Sequence, residues 1–100
     1  TFHMYGGNEI TLTLRFEKSL LKAIYDEFGL DVQIIPDDAD HYLLIIQAKR
    51  SEGLLSWLLK WGAKVEVITP DSLREEIKGE IARMQAMYGQ DPVEMNLEEY

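Results

Sequence analysis

The chain has 100 residues, 46% hydrophobic and 28% charged, which is enough for one marginal core and too little for two domains. Its 18 acidic and 10 basic residues give a net charge of −8; phosphate backbones are repelled by such a balance, so the chain is a poor candidate for gripping nucleic acid alone. Cysteine is absent, which removes disulfides, a thiolate nucleophile and cysteine-based zinc sites.

Residues 1–8 contain Gly6, Gly7 and Asn8 and read as a lead-in ending in a turn. They show neither the basic start nor the apolar run of a secretory leader. No apolar stretch nears the ~20 residues that span a bilayer, so the expectation is a cytoplasmic protein without membrane contact. From residue 9 the pattern alternates. Ile10, Leu12, Leu14 and Phe16 point one way, and Thr11, Thr13 and Arg15 the other, which predicts a half-buried strand over 9–16.

The period then becomes helical over 17–28. Leu20, Ile24 and Phe28 recur every four residues with Leu21 and Tyr25 beside them, and Gly29 stands where a glycine ends a helix. Residues 30–36 alternate through Val32 and Ile34, Asp37, Asp38, Ala39 and Asp40 make a polar turn, and 42–48 returns as a strand. Tyr42 to Ile46 is apolar at both parities. A strand of that kind is normally covered on both faces, so a second layer is expected over it, from this chain or a partner.

Residues 51–61 predict a second helix, closed by Gly62. Trp57, Trp61, Leu54, Leu58, Leu55 and Leu59 spread over roughly 200° of its circumference, about twice the stripe that one sheet requires. The surplus edge, on the Trp57/Trp61 side or the Leu59 side, should meet a third layer. A strand over 63–69 follows with Val65 and Val67 inward. Thr69-Pro70-Asp71 reads as a threonine cap, a first-turn proline and an acid at the positive dipole end. The third helix runs to about residue 88, with Leu73, Ile77, Ile81, Met84 and Tyr88 on one side and Gly79 inside it at a cost of about 1 kcal/mol. Residues 90–100 form an acidic, proline-broken tail.

The order β-α-β-β-α-β-α predicts an α+β fold: a ferredoxin-like βαββαβ antiparallel sheet with helices on one face and an additional C-terminal helix. The open side of the 42–48 strand, in this chain or in a dimer mate, is the nearest candidate home for that helix's stripe.

A catalytic reading fails on inventory. His3 and His41 are the only histidines, and neither has a nameable acid–base partner. Asp37, Asp38 and Asp40 lack the spacing, glycine and closing glutamate of a calcium loop, so a solvated turn is the better reading. Gly6-Gly7 is not followed by the lysine or serine of a phosphate loop. Ser19, Ser51, Ser56 and Ser72 have no nucleophile context. Neither a catalytic residue nor a cofactor or metal site is expected. A basic patch around Arg15, Lys49 and Arg50 stands against scattered surface charge, and the tryptophan pair is either an interface anchor or core.

One segment narrows the reading. Leu54-Leu55-Ser56-Trp57-Leu58-Leu59-Lys60-Trp61-Gly62, then Val65-Glu66-Val67-Ile68-Thr69-Pro70 and Leu73-Arg74-Glu75-Glu76-Ile77, strongly resembles the C-terminal extension of WYL-domain regulators, the WCX domain. Thr11-Leu12-Thr13-Leu14-Arg15-Phe16 looks like the family's opening strand, and Phe2-His3-Met4-Tyr5-Gly6-Gly7 is similar to the linker before it. The resemblance covers roughly residues 1–89. It implies a ferredoxin-like domain at the end of a bacterial transcription regulator built from a winged helix-turn-helix, a WYL domain and this extension. The resemblance further implies that the WYL and WCX parts sense an effector, a nucleotide or single-stranded nucleic acid, and hold dimers together. The helix-turn-helix and WYL parts are not in this sequence, so DNA reading is not assigned to it. Asn96-Leu97-Glu98-Glu99-Tyr100 looks like the stretch normally found before the opening linker.

The expectation is therefore a regulatory domain for effector response and self-association, as a homodimer or a domain-swapped oligomer. The rival is a stand-alone ferredoxin-like small-molecule sensor that dimerises around its ligand. The candidate effector or partner surface is Thr13, Arg15, Lys49 and Arg50 on the open sheet face, with Trp57 and Trp61 on the surplus helical edge.

Overall fold

The computed structural model describes residues 9–90. The expected lead-in at 1–8, with the linker-like segment and His3, and the tail from residue 91, with the Asn96–Tyr100 resemblance, lie outside the described residues. In chain order the elements are β1 (Glu9–Glu17), a 3-10 turn and α1 (Leu21–Phe28), β2 (Gln33–Pro36), β3 (His41–Lys49), α2 (Glu52–Lys60), a second 3-10 turn, β4 (Val65–Thr69) and α3 (Asp71–Tyr88). The strands form one sheet in the order β2-β3-β1-β4, with every neighbouring pair antiparallel. Each βαβ unit brackets a strand of the other, which is the ferredoxin-like arrangement that the element order predicted.

The alternation in β1 sets the sheet's two faces. Leu12, Leu14 and Phe16 are fully buried and join Leu44, Ile46, Ala48, Val65 and Val67 under α1 and α2. The helices add Ile24, Phe28, Leu54 and Leu58 to the same cluster. Each such side chain removed from water contributes roughly 1.5–3 kcal/mol, so this layer carries most of the fold's stability.

Local chemistry explains most boundaries. Gly29 ends α1 at a φ of 90°, and Gly62 follows α2 at 57°, values that a side chain disfavours. Ser51 caps α2, its hydroxyl accepting from the Leu54 amide at 3.1 Å. Four expectations change. The helix expected from residue 17 begins only at Leu21, because Glu17 ends β1 and Lys18–Leu20 form the 3-10 turn. β2 begins only at Gln33, and Leu30 is left exposed. β4 begins at Val65, because the 3-10 turn Gly62–Lys64 occupies the residues before it. Thr69 ends β4 and does not cap α3; Pro70 holds the cap position without a side-chain bond, and Asp71 lies in the first turn.

The third helix also differs from expectation in its place. Leu73 enters the core and Ile77 packs against it. Arg74 donates to Glu66 at 2.8 Å and to the Val67 carbonyl at 2.7 Å, and Arg50 donates to Ser72 at 3.0 Å and also reaches Glu76. These bonds fix the start of α3 along the β4 edge on the side of α2, so within one copy its stripe lies away from the open face of β3. Among the described residues no helix lies over that face. Its apolar residues are flanked across the strands instead: Leu43 stands between Arg15 and Ile35, and Ile45 between Thr13 and Gln33. Leu43 and Ile45 are half-buried.

Candidate functional site

Two surfaces remain once the core is filled: the open sheet face and the outer half of α3. On the sheet, Thr13 and Arg15 stand on the open face as their parity predicts. Arg15 is engaged by the β2–β3 turn. Its Nε donates to Asp37 Oδ2 and its Nη2 to Asp38 Oδ2, each at 2.6 Å. The bond to Asp37 raises the guanidinium pKa further above its ordinary value, so it stays charged. Asp38 also accepts from the Asp40 amide at 2.8 Å and meets His41 Nδ1 at 2.9 Å. An ionised carboxylate can only accept, so Nδ1 carries the proton in this pair. The His41 ring first, and the Asp40 amide second, hold the Asp38 carboxyl down at about 2.

The acidic turn is exposed to solvent as expected, and it also latches Arg15 through Asp37 and Asp38. Sequence reasoning missed this, although the β1–β3 register places Arg15 only two pairs from the strand end that leads into the turn. Among the described residues no group of three or more Asp, Glu and His side chains could hold a metal ion, and no helix is long and apolar enough to cross a membrane.

The three cations considered together in the sequence do not converge. Lys49 pairs with Glu9, six residues from Arg15 along β1, a separation of about 20 Å at ~3.3 Å per residue. Arg50 turns away from the open face to clip α3 through Ser72 and Glu76. No shared basic patch forms.

The tryptophans resolve the question of the surplus arc of α2. Trp57 meets Phe28 edge-on at 5.2 Å between ring centroids, and Trp61 meets Trp57 at 6.1 Å, also edge-on. This aromatic row seals α2 against α1, with Lys60 Nζ 5.0 Å over the Trp61 ring. The Trp61 indole nitrogen is buried and has no acceptor among the described residues. Both rings are half-buried and pack against one another. The opposite edge of α2 meets α3: Leu58, Leu59 and Ala63 form one wall, and Ile77, Ile81 and Met84 the other, of an apolar groove of about 460 Å³.

That groove runs out along α3. Leu73 is buried, but Ile81 is 51% exposed, Met84 44%, Met87 69% and Tyr88 81%. The stripe is therefore half covered by its own domain and half bare. Isolated exposed apolar residues are common, but a contiguous row continuing from a groove marks a contact surface. No sequence signal separated the two halves, since the helical period is the same in both.

The sheet order and these surfaces define a ferredoxin-like α+β domain with an appended, partly unsupported helix. The chain belongs to the WCX domain family: the model of the WCX domain matches residues 8–85, from the first strand to near the end of α3. It is thus of the domain type associated with WYL regulators. Comparison with curated proteins finds no match.

Proposed function

We propose that this domain serves effector response and self-association in a bacterial, cytoplasmic WYL-type transcription regulator, with its own contribution being association and not chemistry. The observation that carries the reading is the bare apolar row of Ile81, Met84, Met87 and Tyr88, too continuous to be left in water in the working protein. Arg15 is already bound to two carboxylates, and Lys49 stands apart from it. An anionic effector, a nucleotide or a single strand, is therefore held jointly with the WYL domain and not by this domain alone. Effector binding changes the regulator by shifting how its copies are held together.

Sedimentation velocity of the chain tests this. A sedimentation coefficient that rises between ~5 and ~500 μM, a span bracketing weak self-association, supports the reading. A compact monomer throughout that range overturns it.

A further inference from the structure

We propose that α3 pairs with α3 of a second copy of this chain, antiparallel and about a two-fold axis. This rests on the self-association reading and specifies the surface, partner and geometry that serve it. The first argument is the spacing. Ile77, Ile81, Met84 and Tyr88 are separated by four, three and four residues, an order that is the same read in either direction. A copy laid antiparallel therefore sets Ile77 against Tyr88 of the second copy and Ile81 against its Met84, with every apolar residue meeting an apolar one. The alternating three and four spacing is also that of a coiled-coil seam, and a two-fold contact demands a self-complementary surface.

The second argument is the shape of the groove. It is walled by Leu59 and Ala63 on one side and by Ile77, Ile81 and Met84 of α3 on the other. In the antiparallel register the outer end of the second copy's α3, with Met87 and Tyr88, comes opposite Ile77, at the inner end of this groove. The tip of each helix thus meets the groove of the other, and both bare segments are covered in one step.

Charge does not oppose the contact. Beside the seam Arg83 donates to Glu80 at 3.1 and 2.6 Å, so the acid and base of the outer half neutralise each other within one copy. The net −8 repels at longer range, and salt screens it.

Area sets the strength. At roughly 200 Å² for a large apolar side chain, the exposed fractions of Ile81, Met84, Met87 and Tyr88 amount to about 500 Å² per copy, with a further contribution from the groove walls. The total lies near ~1,200 Å², the low end of specific interfaces. The expected dimer is weak and concentration-dependent, which suits a contact that an effector is to tune.

The test uses the absence of cysteine, which makes introduced thiols unambiguous. In the antiparallel register Tyr88 of the two copies is about 16 Å apart along the axis, at ~1.5 Å per residue, beyond disulfide reach. Tyr88→Cys alone should not cross-link, whereas a mixture with Ile77→Cys should give the mixed disulfide. Efficient Tyr88→Cys homodisulfide means a parallel pair and overturns the geometry, and so does no cross-link in the mixture. In parallel, Ile81→Glu should weaken association by at least about tenfold, as expected for a charge placed in an apolar seam, while Ile45→Lys on the open sheet face leaves it unchanged. Dimers that survive Ile81→Glu and are lost with Ile45→Lys contradict the α3 contact and keep self-association. A wild-type chain that never associates contradicts both.

Discussion

The two halves of α3 obey the same sequence rule and meet opposite fates. In the inner half, Leu73 is buried with the sheet and α2, and Arg74 and Arg50 tie the turn to β4 and to the β3–α2 link. In the outer half, the same apolar face runs past the edge of the domain, and Ile81, Met84, Met87 and Tyr88 stand in water. The difference teaches that an amphipathic period reports only that a face will be covered. What covers it is decided by how far the rest of the molecule extends.

The largest expected effect lies in the inner half. Leu73→Ala removes a side chain that is 1% exposed, and the transfer and cavity costs together reach about 2–5 kcal/mol, read as a fall in the midpoint of urea unfolding. A loss below ~1 kcal/mol would mean that the inner half is not held by the core. Arg50→Ala comes next. It frees Ser72 and Glu76 in a partly exposed setting, so a loss of about 0.5–1.5 kcal/mol is expected for the hydrogen bonds, measured the same way. Met87→Ala and Tyr88→Ala should change the unfolding midpoint of the dilute monomer by no more than ~0.5 kcal/mol, as for surface positions. A larger effect there would erase the contrast between the halves.

The smallest effect concerns the latch at the far side of the sheet. The His41 ring and the Asp40 amide depress the Asp38 carboxyl from 3.8 to about 2. A depressed acid stabilises the fold above its unfolded pKa, and that contribution disappears as pH falls through the folded value. The melting temperature should therefore drop between about pH 4 and pH 2, and Asp38→Asn should flatten this part of the curve while leaving α3 pairing intact. An identical acid slope in the variant would show that the latch contributes nothing.

Much of this arrangement was legible in the residues. Alternation in β1 placed Leu12, Leu14 and Phe16 inward, Ser51 announced the start of α2, and Gly29 and Gly62 marked helix ends, because each of these is a local steric or hydrogen-bonding rule. The WCX resemblance, seen in the Leu54–Gly62 and Val65–Pro70 segments, agreed with the family match over residues 8–85. What stayed hidden depends on distance in space. The double parity of Leu43, Leu44, Ile45 and Ile46 suggested a second layer, and among the described residues Leu43 and Ile45 have only cross-strand neighbours on their register, Arg15 and Ile35, and Thr13 and Gln33. Arg15 looked like a cation offered to an effector, and its partners Asp37 and Asp38 lie 22 and 23 residues further on. Trp57 and Trp61 were nominated as a surface edge, and the sequence did not show that Phe28 on another helix meets Trp57, which in turn meets Trp61. Periodicity along one segment carries no information about which other segment arrives opposite it.

Amide hydrogen exchange along α3, measured at two protein concentrations, addresses the contrast between the halves most directly. Protection around Leu73 to Ile77 should be high and independent of concentration, while protection from Ile81 to Tyr88 should be low in dilute solution and rise as the chain is concentrated. Uniform protection along the whole helix at every concentration would contradict the account, because the outer half would then need no second copy to hold it.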